Sequence, residues 1–130
     1  YVYLWKNHPL AKQKMISMEE LQDYPCLAFE QGKNNSFYYS EEMKSTYQYK
    51  KLIKADDRAT LLNLMVGLNA YTLCSGIITE ELNGDDYLAV KLDEDERMTV
   101  GYIIRKNLTL SSLAKKYLEE INSFMKRNYV

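Results

Sequence analysis

An α/β fold built on a parallel sheet is what the hydrophobic period of this chain predicts, and three observations carry that reading. From Ala55 to Ala70 the period is helical: Leu61, Leu64, Met65 and Leu68 fall at i, i+3, i+4 and i+7, and Leu62 and Val66 widen the apolar stripe. Tyr71-Thr72-Leu73-Cys74 follows at once as a run of strand formers closed by Ser75-Gly76. The same alternation precedes it: a strand at Cys26-Leu27-Ala28-Phe29, a helix of roughly 37–47, then a strand at Lys51-Leu52-Ile53-Lys54-Ala55. Strand, helix, strand, helix, strand with short links implies right-handed crossovers and a sheet covered on both faces.

Taken in order, the chain opens on Tyr1-Val2-Tyr3-Leu4-Trp5, an aromatic and β-branched run that reads as a strand and ends at polar Lys6-Asn7. It starts without a methionine, and a domain seldom begins with its apolar strand bare, so a fragment is expected. Ser17-Met18-Glu19-Glu20 is a capping box, the serine reaching forward to a backbone N–H while Glu20 reaches back. That helix must be short, because Tyr24-Pro25 cannot continue it. Asp57 is placed to cap the helix of the central stretch, and Gly67 is the expected stop, since a residue past the last turn often needs positive φ. Ile77 to Leu82 is expected to make one helical turn, with a tight turn at Asn83-Gly84. Tyr87 to Leu92 and Met98 to Ile104 read as two strands, separated by the acidic, solvated run Asp93-Glu94-Asp95-Glu96. From Leu110 the positions Leu113, Ala114, Tyr117, Leu118, Ile121, Phe124 and Met125 form the longest amphipathic pattern in the chain.

Composition narrows the function. At 130 residues and 46% hydrophobic content, this is one domain's worth of chain with enough apolar residues for a core. A net charge of -1 gives no electrostatic footprint for nucleic acid. No apolar run approaches a membrane span, and no basic-then-apolar leader is visible, so a cytoplasmic location is expected. Cys26 and Cys74 sit in apolar runs and read as buried thiols. Support for catalysis is poor. The single histidine, His8, has no Cys, Asp or Glu at ligand spacing, and there is no nucleophile elbow and no phosphate-cradling glycine loop. No cofactor and no metal are expected.

Ligand binding is better supported. In open α/β sheets the crevice lies beyond the carboxyl ends of the strands, where helix N-termini present free N–H groups. One loop there is Glu30 to Ser36: Gly32 permits close backbone approach, Asn34, Asn35 and Ser36 supply neutral donors, and Glu30 and Gln31 are further candidate contacts. The other follows the central strand, with Thr72, Ser75 and Gly76 at its end. Their chemistry suits a small polar or anionic molecule held by neutral donors.

Three segments carry a resemblance. Val66-Gly67-Leu68-Asn69-Ala70-Tyr71-Thr72-Leu73 resembles the segment written as valine, a small residue, Gly-Leu-Gly in the effector-sensing domain of LysR-type transcriptional regulators. His8-Pro9-Leu10-Ala11 is similar to that family's HPLA segment, and Leu110 to Leu118 to its closing helix, which begins at a serine. One departure is Asn69, where the family has a second glycine, although Asn tolerates the left-handed region. The resemblance implies a periplasmic-binding-protein-like, type 2, two-lobed fold. Residues 1–10 would end lobe one and form a hinge, 11–86 the complete effector-binding lobe two, and 87–130 the return crossing and the C-terminal part of lobe one. It further implies an effector between the lobes, a homo-oligomer, and DNA contact only through a winged helix-turn-helix domain outside this chain. Rival readings are a solute-binding protein of the same fold and a small dehydratase-like enzyme on that scaffold.

Overall fold

The structure is a computed structural model, which describes residues 1–30, 47–78, 83–95 and 101–129. The chain divides into two compact units, Tyr1–Met98 and Thr99–Val130.

In the first unit the elements run β1 (Val2–Trp5), β2 (Met15–Ile16), α1 (Met18–Leu21), β3 (Cys26–Phe29), β4 (Leu52–Ala55), α2 (Arg58–Leu68), β5 (Thr72–Leu73) and β6 (Tyr87–Leu92). Strands β2, β6, β1 and β5 lie side by side in that order, and β3 pairs with β4. A parallel bridge between Cys26 and Tyr71 joins the two sets, sealed by Leu27 N–H to Tyr71 O at 2.7 Å and Tyr71 N–H to Pro25 O at 3.0 Å. β3 is parallel to β4, and β2 to β6, whereas β1 runs antiparallel to both β5 and β6. The sheet is therefore mixed, with β1 the reversed strand.

Alternation along the strands sends side chains to two cores. Val2 and Leu4 join Ile16, Met18, Leu21, Cys26, Tyr71, Val90 and Leu92 on one face. Tyr3 points the other way, onto Leu27, Met65 and Ala70 beneath α2, with Ile53, Leu61, Leu62, Cys74 and Tyr87 packed around them. Burying a side chain such as Leu4 or Leu27 removes it from water at a gain of about 2 kcal/mol, so these two layers hold the sheet between its helices.

The caps behave as the residues dictate. Ser17 Oγ accepts from Glu20 N–H while the Glu20 carboxylate accepts from Ser17 N–H at 2.9 Å, so α1 starts where the capping box places it. Those hydrogen bonds, the one from Ser17 N–H first, lower the proton affinity of Glu20. Asp57 Oδ2 accepts from Thr60 N–H at 2.7 Å and starts α2. The stop differs from expectation. Gly67 stays inside the helix, and the residue that turns left-handed is Asn69, at φ 48° and ψ 46°. Asn reaches that region because its short polar side chain can hydrogen-bond locally, so the helix runs on until such a residue appears. Leu68, the last residue of the expected stripe, is 46% exposed.

In the second unit Gly101–Ile104 has no strand geometry, contrary to the expected strand over 98–104, whose first residues lie outside the described set. Ile103 is 79% exposed, and a run of strand formers that pairs with no strand among the described residues gains little from extending. Helix α3 (Ser112–Tyr129) is capped by Ser111, whose Oγ accepts from Ala114 N–H at 3.2 Å. Lys126 and Arg127 in its last turn complement the helix dipole. Its apolar stripe at Leu113, Tyr117, Ile121 and Phe124 is exposed. The helix expected over 37–47 falls almost wholly outside the described residues, as does most of the turn expected at 77–82.

Candidate functional site

Because β3, β4 and the Tyr71–Leu73 segment run parallel, their carboxyl ends reach the same edge of the sheet. Glu30 follows β3 there, and its N–H donates to Ala55 O at 2.9 Å, carrying the β3–β4 ladder to the rim. The Glu30 carboxylate stands 3.9 Å from Lys54 Nζ, both groups about half exposed, a pair worth well under about 1 kcal/mol. Asp57 and Arg58, at the start of α2, follow β4 on that same edge.

At the start of β5, Thr72 pairs with Tyr3 across the antiparallel register, and alternation puts both on the face covered by α2. Ser75 Oγ accepts from Ile77 N–H at 3.3 Å, so the loop is held in a short hydroxyl turn. Gly76 sits at φ +82°, where a Cβ would come within 2.5 Å of the Tyr1 ring, so both backbone conformation and space call for glycine. Between them Cys74 is mostly buried, and burial pushes its thiol up. A thiol held neutral in this way packs as an apolar group and is a poor nucleophile.

Of the expected contact residues, Glu30, Ser75 and Gly76 thus follow the parallel strands at one edge, Thr72 lies at the start of β5, and Gln31, Gly32, Asn35 and Ser36 lie outside the described residues. The structure adds a polar group that sequence spacing did not reveal. Asn83 Oδ1 accepts from Tyr3 Oη at 3.2 Å and from the Arg58 guanidinium. Tyr3 stacks on Tyr87 at 5.6 Å, and Tyr87 Oη donates to Leu62 O. Burial raises the proton affinity of the Tyr3 phenol, with Arg58 pulling the other way, so it stays a neutral donor. These partners are 80 and 25 residues apart in sequence, and no local motif links them. Among the described residues no group of three His, Cys, Asp or Glu could hold a metal ion, and no helix is long and apolar enough to cross a membrane.

This edge of parallel strand ends is the arrangement in which α/β sheets bind small molecules. A family model for the LysR substrate binding domain matches residues 1–126. The chain belongs to that family. Solved structures with a similar fold include HinK, a LysR family transcriptional regulator from Pseudomonas aeruginosa, and the effector binding domain of QuiR in complex with shikimate. HinK is 15% identical with a TM-score of 0.63 over 95% of this chain and 44% of its own. QuiR is 16% identical with a TM-score of 0.56 over 99% of this chain and 62% of its own. The LysR substrate-binding domain described here thus spans less than two thirds of either. No curated protein matches it. The fold is periplasmic-binding-protein-like, a mixed α/β architecture that includes parallel strand pairs.

Proposed function

We propose that this chain senses a small polar or anionic effector for a LysR-type transcription regulator, and that the effector rests on the carboxyl edge of β3, β4 and β5. The observation that carries this reading is that Glu30, Ser75 and Gly76 follow parallel strands at one sheet edge, with Thr72 on β5 leading to it, in a chain of that family. Gln31, Gly32, Asn35 and Ser36, following Glu30, complete the first loop. Neutral hydroxyl and amide donors suit a hydroxylated or carboxylated guest, and the shikimate held by QuiR is one such molecule.

On this reading the chain crosses between lobes near Lys6 to Leu10 and Tyr87 to Leu92, with residues 1–10 the end of lobe one and hinge, 11–86 lobe two, and 87–130 the return crossing and the C-terminal part of lobe one. Tyr87–Leu92 pairs with β1. A guest that binds one angle between lobes better than another shifts the equilibrium toward it. That shift reaches DNA through a winged helix-turn-helix domain outside this chain, in a homo-oligomer in the cytoplasm. The role is binding, not catalysis.

Calorimetric titration with shikimate and a panel of small carboxylates tests this on the chain and on Thr72→Val and Ser75→Ala. Each lost hydrogen bond of about 1 kcal/mol weakens binding roughly fivefold. Unchanged affinity in both variants overturns the site, and turnover of a bound compound overturns the binding-only role.

A further inference from the structure

The chain's one histidine and one tryptophan meet on the same residue, Asn69. Trp5 Nε1 donates to Asn69 Oδ1 at 2.9 Å, and His8 Nε2 lies 2.9 Å from the Asn69 carbonyl. The other ring nitrogen, His8 Nδ1, accepts from Leu10 N–H at 3.1 Å. A nitrogen that accepts carries no proton, so the imidazole is neutral with its hydrogen on Nε2, donating to Asn69. The end of β1 and the loop after it are thereby fastened to the left-handed turn between α2 and β5 by two side chains, Trp5 and His8, both ending on the residue that makes the turn.

His8 is 2% exposed, the sole polar or charged residue buried among the described residues. Facing it from the exit of α1 is the Tyr24 ring at 4.5 Å, from the α2–β5 turn the neutral Asn69, and from its own loop the Leu10 N–H. Desolvation lowers its proton affinity and the Asn69 carbonyl partly restores it, and no carboxylate of the described residues contributes. A second proton on Nδ1 would confront the Leu10 N–H donor to donor, leaving a buried charge unpaired on that side.

We propose that His8, Asn69 and Trp5 form a proton-operated latch, closed with neutral His8 and opened by protonation of Nδ1, which releases the loop after β1 from the turn between α2 and β5. The sign follows from the geometry. The neutral ring is the one the fold accommodates, so the latch is fully closed above the ordinary histidine value of about 6.5. Its contribution is lost as the pH falls below that value and through the lower folded-state midpoint. Opening frees the hydrogen-bond partner of Trp5, so the two aromatic reporters move together.

The test uses the sole histidine and sole tryptophan, whose signals need no assignment. The imidazole nitrogens and the Trp5 indole N–H are followed by heteronuclear NMR from neutral to acid pH, with far-UV circular dichroism recording the fold. The expected result is an Nε2–H tautomer at neutral pH, and a common midpoint below 6.5 for the histidine and the indole while the helical signal persists. His8→Gln, which keeps a donor for Asn69 O, abolishes the indole transition. Asn69→Gly, which keeps the turn and removes the Trp5 acceptor, leaves the histidine transition and loses its echo at Trp5. An Nδ1–H tautomer, a histidine midpoint at or above 6.5, or an indole that ignores the histidine transition in the unmodified chain would each overturn the latch. So would a transition coincident with global unfolding. Effector affinity enters none of these readouts, so failure of the ligand site and failure of the latch are told apart.

Discussion

Replacing Asn69 separates two contributions that the structure superimposes at the end of α2. The residue occupies φ 48°, and its side chain accepts from the Trp5 indole. Alanine loses both features: the left-handed conformation costs it about 1–2 kcal/mol. Loss of a part-buried acceptor adds about 1 kcal/mol. Asn69→Ala is therefore expected to destabilise by about 2–3 kcal/mol. Asn69→Gly keeps the backbone conformation and loses the acceptor, so it should cost about 1 kcal/mol, plus a few tenths for the freer unfolded chain. Urea unfolding followed by far-UV circular dichroism resolves the difference, since about 2 kcal/mol moves the midpoint by roughly 1 M. Trp5→Phe supplies the cross-check: combined with Asn69→Gly it should cost less than the sum of the two, because both remove one bond. Equal loss from Asn69→Gly and Asn69→Ala would refute the backbone argument, and strict additivity with Trp5→Phe would refute the hydrogen bond.

Other outcomes follow from the same packing. Leu27→Ala, which empties a fully buried position under α2, is expected to cost about 3 kcal/mol, whereas exposed Val66→Ala stays within about 0.5 kcal/mol, both read from urea midpoints. The two glycines flanking β5 should respond in opposite directions. Gly67→Ala, helical with open space around it, raises stability by up to about 1 kcal/mol. Gly76→Ala, at positive φ against the Tyr1 ring, lowers it by about 1 kcal/mol or more. Asp57→Ala lowers the urea midpoint at neutral pH by removing the α2 cap. Because the backbone N–H of Thr60 holds the Asp57 carboxyl below the usual aspartate range, that difference is present above about pH 4 and closes as the pH falls through the folded-state value. A gap that persists in strong acid would show that the carboxylate is not the capping group.

Local chemistry made much of this fold legible. β3 and β6 begin and end where strand formers give way to polar residues, and both caps stand where Ser17 and Asp57 supply an oxygen for the first turn. The stop at Asn69 was hidden because glycine is the usual left-handed residue, and Gly67 stood two positions earlier as a decoy. Gly101–Ile104 was misread for the opposite reason: its composition favours a strand, but a strand also needs a neighbour. The reversal of β1 and the short strand β2 are matters of pairing, which periodicity does not encode. Of the proposed site, Glu30, Ser75 and Gly76 could be named from sequence because they follow strand-forming runs. The Tyr3, Arg58 and Asn83 group did not, because it exists only once β1, α2 and the segment before β6 come together.

Amide chemical-shift mapping during titration with shikimate and related small carboxylates tests the binding edge most directly. Perturbations are expected to gather at Glu30 and the residues that follow it, at Thr72 to Gly76, and at the start of α2. A ligand that instead moves the opposite edge, around Pro25, Asn69 and Ala70, would contradict a site at the carboxyl ends of β3, β4 and β5.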